Sequence, residues 1–237
     1  YASFFISLEL MSIPMYGLLA YTHQRSKSLE AGVKYLVLSA TASAMLLMGM
    51  AYVYAYTGSL SFYDSVQALM QNIQQPLVIL GLGLIVFAVA FKLSLAPFHK
   101  WTPDVYQGAP APMATFLATA AKVATIGLLV RYLLAAGALI PSINLILCII
   151  AVLSILAGNL LAVRQVNLKR VLAYSSIAHF GYLLIALVSK NYFSLDSVNM
   201  YVITYVFTTI GAFGVVTLMS SPYNNLDEAE SVADYRG

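Results

Sequence analysis

Seven long apolar runs separated by short polar stretches set the rhythm of this chain. They fall at roughly 1–21, 32–56, 77–98, 111–135, 142–163, 169–189 and 198–219. Each has about the 20 residues a helix needs to cross the hydrocarbon core of a bilayer. None alternates apolar and polar positions with the period of a barrel strand. Lipid offers no partner to backbone N–H and C=O groups, so helices, which satisfy their own backbone, are the expected spanning structure. The pattern predicts an all-α polytopic transmembrane bundle with about seven spans, residues 1–237 forming a single transmembrane domain.

The polar stretches carry their own signals. "SLSFYDSVQALMQNIQQ", between the second and third runs, is longer than a turn needs, and Phe62, Val66, Leu69 and Ile73 fall on one helical face. That spacing predicts a short amphipathic helix in the membrane interface. Pro76 and Pro141 stand where runs begin, a tolerated place for proline. Pro110 and Pro112 predict a short extended start to the fourth span, and the segment 101–110 reads as a connection before it.

Composition agrees with a lipid environment. Of the 237 residues, 61% are hydrophobic and 9% charged, against about 25% charged in a soluble domain. A net charge of +3 spread over connections gives nucleic acid no basic patch to bind. The single cysteine, Cys148, cannot form an internal disulfide and reads as a packing residue. The chain begins at Tyr1 inside an apolar run, with no visible signal peptide, and stops after a polar stretch; it reads as the middle of a longer protein. Arg25, Lys27, Lys100, Arg164, Lys169, Arg170 and Arg236 follow the odd-numbered spans, whereas only Arg131 and Lys190 follow the even ones. Cationic loops stay inside, so the first group is expected to face the cytoplasm.

Against this background three ionisable residues stand out within the runs: Glu9, Lys92 and Lys122. A charge at the bilayer midplane costs about 2.5–3.5 kcal/mol on insertion scales. Such residues either form a static buried ion-pair network or carry ions. Prolines favour the second reading. Pro97 has no N–H to give the Leu93 carbonyl, and Pro14 none for Leu10, so each freed carbonyl lies one residue after a charge. Broken helices are tolerated at membrane depth where they line a wet cavity, and an interruption is expected between about Leu93 and Pro97. For Pro14 alone a packing kink is the simpler reading. A carboxylate about 4 Å from a buried ammonium contributes about 4 kcal/mol at an effective dielectric of 20. A lysine whose acidic neighbour comes and goes can thus bind and release a proton, and Glu9, Lys92 and Lys122 have the chemistry of a proton relay.

Further groups extend it. His179 sits mid-span in "YSSIAHFGYLL", and imidazole both accepts and donates protons; a histidine hydrogen-bonded in a helix interface fits equally. His99, seven residues after Lys92, either feeds protons inward or marks the interface. Lys34, one turn after Glu30, forms a solvated i,i+4 pair or lines an entrance.

These residues lie in stretches that resemble a known family. "FKLSLAPFHKWTPDVYQGAPAPMATFLATAAKVA", "SLELMSIPMYGLLAY", "SLEAGVKYLVLSA", "NLKRVLAYSSIAHFGYLL" and "GAFGVVTLMSSPY" are similar, in order, to the antiporter-like membrane subunits of respiratory complex I, NADH:quinone oxidoreductase. The resemblance implies a subunit of fourteen helices built from two inverted five-helix repeats, of which this chain would hold helices five to eleven. The family's glutamate falls on Glu9, its lysines on Lys92 and Lys122, its cytoplasmic-side lysine on Lys34 and its histidines on His99 and His179. A further lysine, in a broken helix twelve, has no counterpart here. It also implies a proton-translocating, multi-pass subunit of the bacterial inner membrane, with the other membrane-arm subunits and the bilayer as partners. NADH, flavin, iron–sulfur clusters and quinone would belong to partner subunits; this chain has no Gly-rich dinucleotide loop and one cysteine. A cation/proton antiporter subunit of the Mrp type, which shares the buried charges, and a non-pumping structural module are the alternatives; "YQGAPAP" favours complex I.

Overall fold

A computed structural model describes residues 1–22, 24–71, 75–136, 141–189, 194–220 and 231–235. Helix α1 (Ala2–Leu19) runs unbroken through Pro14, so no opening forms at Leu10 and the simpler packing reading of this proline fits. One missing N–H is a local loss, and Ser12 reinforces the preceding turn by donating to the Leu8 carbonyl (2.8 Å). Helix α2 (Ser26–Thr57) has 32 residues, about 48 Å at 1.5 Å per residue. It ends at Gly58, whose φ of 68° suits a residue without Cβ and whose N–H reaches the Tyr54 carbonyl at 2.7 Å. The expected amphipathic helix is α3 (Phe62–Gln71): Val66 and Leu69 are buried, and Phe62 packs edge-on against Tyr1 and Tyr132. Ile73 lies outside the described residues.

Six helical stretches among the described residues are long and apolar enough to cross a membrane: Ala2–Leu19, Ser26–Thr57, Ala111–Leu133, Asn144–Ala162, Leu168–Val188 and Leu195–Met219. The third apolar run departs from its neighbours. It forms α4 (Pro76–Lys92), 17 residues long, then a non-helical segment, then the short α5 (Trp101–Gly108). The segment 101–110 is therefore mostly helix, and Thr102, Val105 and Tyr106 are fully buried. The apolar count in 77–98 suffices for a span, but Pro97 prevents the helix from using it.

After Pro110, which is extended (φ −56°, ψ 141°), the chain enters α6 (Ala111–Phe116). A π-helical turn, Leu117–Ala121, leads into α7 (Lys122–Ala136). Helices α8 (Pro141–Ala162), α9 (Leu168–Val188) and α10 (Ser194–Met219) complete the bundle. Asn167 caps α9, its side chain accepting from the Arg170 N–H.

Between apolar helices in lipid, close backbone approach replaces the hydrophobic drive of water. Helices α2 and α4 meet this way. A Cβ on Gly49 would lie 2.7 Å from the Gly81 carbonyl oxygen, and one on Gly81 2.9 Å from that of Gly49. Gly108 likewise lets α5 press against the Lys27 carbonyl of α2. One apolar core joins α1, α2, α4, α7, α8 and α9 through residues such as Leu8, Leu46, Leu93 and Phe180. A second, around Leu19, Tyr35, Tyr106 and Phe213, encloses α5.

Candidate functional site: a line of buried cations on interrupted helices

The interruption begins where α4 ends, at Lys92. The Leu95 N–H reaches back to the Ala90 carbonyl (2.8 Å) and Phe98 to Leu95 (2.7 Å), while Ser94 adopts φ 62°. For a residue with a Cβ that conformation costs about 1–2 kcal/mol. The Ala96–Pro97 peptide is cis. Backbone groups left over are taken up by side chains from elsewhere: Ala96 N–H donates to Ser154 Oγ of α8 (2.9 Å), and Trp101 Nε1 to the Phe91 carbonyl (3.2 Å). The break expected between Leu93 and Pro97 is thus present and tied into the bundle on both sides.

Lys92 points into this interior, with 7% of its side chain exposed. Its Nζ donates to Ser12 Oγ (2.6 Å) of α1 and Ser39 Oγ (2.9 Å) of α2. Glu9 Oε1 is 3.8 Å away and accepts a hydrogen bond from Ser43. An attraction of about 4 kcal/mol at an effective dielectric near 20 accompanies that separation. Glu9 and Lys92, each singled out by its place in an apolar run, thus meet in one site. The three serines were not singled out from the sequence, although Ser39 and Ser43 stand at i,i+4 on α2 and Ser12 three residues after Glu9.

Lys122 starts α7 directly after the π turn and is 1% exposed. Its Nζ donates to Ser176 Oγ of α9 (2.8 Å) and lies 5.0 Å from the Phe180 ring centroid and 5.8 Å from that of Tyr106. Aromatic faces attract cations, so the rings give the ammonium weak but real company. Among the described residues no carboxylate forms an ion pair with it. The π turn shifts the backbone ladder by one residue, and the Tyr205 hydroxyl of α10 donates to the Ala118 carbonyl within it (3.0 Å).

His179 lies one turn beyond Ser176 on α9. Its Nδ1 is 2.6 Å from the Tyr201 hydroxyl of α10, and its ring rests 5.4 Å from that of Tyr205. His99 is 8% exposed within the break, its ring 6.4 Å from Tyr174, and its Nδ1 is buried without a hydrogen-bond partner. It makes no direct bond to Lys92 among the described contacts. Ser94 Oγ in the break and Thr102 Oγ1 in α5 are also buried without a hydrogen-bond partner among the described residues, as is Tyr106 Oη by hydrogen-bond geometry. Natural interiors keep such atoms rare.

Lys34 sits at the charged end of the bundle. It contacts Glu30 (2.6 Å), as its spacing predicts, and also Asp104 of α5 (2.8 Å), which in turn accepts from Arg170 Nη1 of α9 (2.8 Å). Lys27, Glu30, Lys34, Asp104, Gln107 and Gly108 line a polar pocket of ≈ 150 Å³. Asp104 escaped the sequence reading because its partners lie 70 and 66 residues away. Lys169, which reads as a loop charge, is fully buried and donates to the Ala109 carbonyl (2.8 Å). No cluster of three or more His, Cys, Asp or Glu side chains suited to a metal forms among the described residues.

Buried titratable groups on a broken helix and beside a π turn, within a bundle of membrane-length helices, define a polytopic membrane protein with charges held inside its helix bundle. The chain belongs to the NADH:quinone oxidoreductase/Mrp antiporter transmembrane family, which it matches over residues 1–237. It is 82% identical over 238 residues to NADH-quinone oxidoreductase subunit N of Acinetobacter baumannii (strain AB0057), covering 100% of this chain and 48% of that protein. Identity to subunit N of Psychrobacter arcticus is 58%, again covering 100% and 48%. The chain therefore spans about half the length of the curated relatives it matches. Among solved structures, respiratory complex I from Thermus thermophilus with bound aureothin matches with TM-score 0.77 and 39% identity, over 96% of this chain and 47% of that one. The archaeal membrane-bound sulfane sulfur reductase matches with TM-score 0.82 and 29% identity, over 91% and 44%. The Mrp complex of Dietzia sp. DQ12-45-1b shares the fold, with TM-score 0.76 at 21% identity over 91% and 40%.

Proposed function

We propose that this chain is part of the proton-translocating membrane subunit of a bacterial NADH:quinone oxidoreductase, the counterpart of subunit N, working in the inner membrane beside the other membrane-arm subunits. Electron transfer from NADH to quinone takes place in those partners; the chain's share is to move protons in response. The identity to subunit N over its whole length supports complex I over an Mrp-type antiporter. The observation that carries the reading is the Glu9–Lys92 pair, 3.8 Å apart at the end of α4.

The residues take distinct parts. Lys34, on the polar pocket, receives protons from the inner side. His99 lies in the break that begins at Lys92 and ends at α5. Glu9, Ser12 and Ser39 hold the Lys92 ammonium, and displacement of Glu9 frees its proton. The orphaned hydroxyls of Ser94, Thr102 and Tyr106 offer water binding sites toward Lys122. Ser176 connects Lys122 to the turn that carries His179.

The test is mutation of the full-length subunit within its complex. Lys92→Ala and Lys122→Ala should each lower proton pumping, and the redox turnover tied to it, on the order of tenfold or more. Lys122→Arg should not restore it, because arginine keeps its proton. Wild-type pumping by Lys122→Ala would leave a structural module as the remaining reading.

A further inference from the structure

Asp104 stands in the first turn of α5, where a carboxylate suits the positive end of a helix, yet its two oxygens go to cations of two other helices. Oδ2 accepts from Lys34 Nζ of α2 and Oδ1 from Arg170 Nη1 of α9, each at 2.8 Å. Glu30, the other carboxylate on Lys34, belongs to the same helix and cannot tie it to a neighbour. Arg170 is oriented by two amides, its Nε donating to Gln165 (3.0 Å) and its Nη1 also to Gln107 (3.1 Å). One residue earlier, the buried Lys169 donates to the Ala109 carbonyl at the far end of α5 (2.8 Å). Each of the three helices that meet at Asp104 also touches a relay lysine. Ser39, which accepts from Lys92, is further along α2, and Ser176, which accepts from Lys122, further along α9. On α5 itself, Trp101 stacks on Phe91, the neighbour of Lys92, at 5.2 Å, and the Tyr106 ring lies 5.8 Å from Lys122 Nζ.

We infer that Asp104 is a positioning residue for the relay: its carboxylate bridges Lys34 and Arg170, and so holds α2, α5 and α9 in the one register that gives Lys92 and Lys122 their hydroxyl partners; the inference rests on the proton-translocating reading above. Apolar helix faces in lipid resist sliding weakly, because lipid tails are as apolar as the side chains they replace. Hydrogen bonds to a charged group are directional and short, and a carboxylate with one cation on each oxygen fixes both helices to a third. Asp104 touches neither Lys92 nor Lys122 among the described contacts; it acts through the helices that carry their partners. Charge is essential to the bridge. An amide offers one acceptor oxygen, so asparagine can keep Lys34 or Arg170 but turns its NH2 toward the other.

The test uses the full-length subunit in its assembled complex, in native membranes, with pumping expressed per assembled complex. Asp104→Asn keeps the shape and breaks the bridge. It should slow pumping severalfold and by as much as about a hundredfold, the cost of a misplacement of about 1 Å at reacting groups. Asp104→Glu keeps a carboxylate for both cations and should restore most of the rate. A residue needed only for folding would lower the amount of complex and leave the rate of each complex unchanged. Wild-type pumping by Asp104→Asn, or equal slowing by Asn and Glu, overturns the inference; with Lys122→Ala inactive, the proton-translocating reading still stands. Wild-type pumping by Lys122→Ala overturns that reading, and this inference with it. If Asp104→Asn fails to assemble, Arg170→Gln decides, since it removes one arm of the bridge and leaves Asp104 on Lys34: slower pumping supports the inference, and a wild-type rate sinks it. Failure of both to assemble assigns Asp104 to the fold alone and overturns the inference.

Discussion

Glu9 and Lys92 belong to different helices and are joined by a contact that is as much hydrogen bonding as charge. Ser12 and Ser39 hold the ammonium at 2.6 and 2.9 Å, while the carboxylate stands back at 3.8 Å with Ser43 on it. That arrangement separates two roles for Glu9. If its charge holds the Lys92 proton, Glu9→Gln, nearly the same shape, should pump as poorly as Glu9→Ala, and Glu9→Asp should retain much of the rate. If Glu9 only packs, Gln should match wild type and Ala should be worst. Pumping rates of the three variants at matched assembly decide. Lys122 differs: a hydroxyl and two aromatic faces surround it. Ser176→Ala removes that hydroxyl and leaves a buried donor without its partner, a loss of about 1–3 kcal/mol. The expected outcome is slower pumping, measured in the same membranes.

At the scale of elements, two proline-bearing helices behave oppositely. Helix α1 absorbs Pro14 and continues, whereas α4 ends five residues before Pro97 and α5 restarts after it. The difference lies in what waits for the freed backbone. In the break, Ser154 and Trp101 bond Ala96 and Phe91 from outside the helix. Pro14→Ala should therefore leave assembly and pumping near wild type. Where helices touch backbone to backbone, side chains have no room: Gly81→Val would drive a Cβ to within 2.9 Å of the Gly49 carbonyl oxygen. Overpacking of this kind costs about 1–3 kcal/mol, and the expected result is a lower yield of assembled subunit in the membrane, read by blotting native gels.

For the whole molecule, one end gathers charge and the other aromatic rings. Lys34, Asp104 and Arg170 meet where α2, α5 and α9 converge. At the opposite end Tyr1, Phe62 and Tyr132 stack edge to face, with centroids 4.7 and 5.3 Å apart across Phe62. The segregation agrees with an inward-facing charged end. Thr102 is fully buried and can report nothing about sidedness, but Gln24, Arg164 and Asp64 are exposed. With Cys148 replaced, cysteines at Gln24 and Arg164 should react with impermeant reagents only from the cytoplasmic side, and one at Asp64 only from outside. The reverse pattern would invert the topology.

The sequence by itself determined what depends on the medium and on neighbours along the chain. Runs of apolar residues in lipid must become helices, so the bundle, the amphipathic α3 and the Lys34–Glu30 pair were legible from spacing. So was the break before Pro97, because a missing N–H is a property of the residue. The buried Glu9, Lys92 and Lys122 stood out because isolated charges in apolar runs are costly anywhere. Only the tertiary structure decided which polar atoms meet. Asp104 reaches Lys34 and Arg170 across 70 and 66 residues, and Lys92 finds Ser12 and Ser39 across 80 and 53. Serine, tyrosine and lysine side chains are compatible with loop, interface or core. Which of these they become, as with the buried Lys169 and with Tyr201 against His179, is fixed by the helix facing them, and no local pattern encodes that helix's rotation and height.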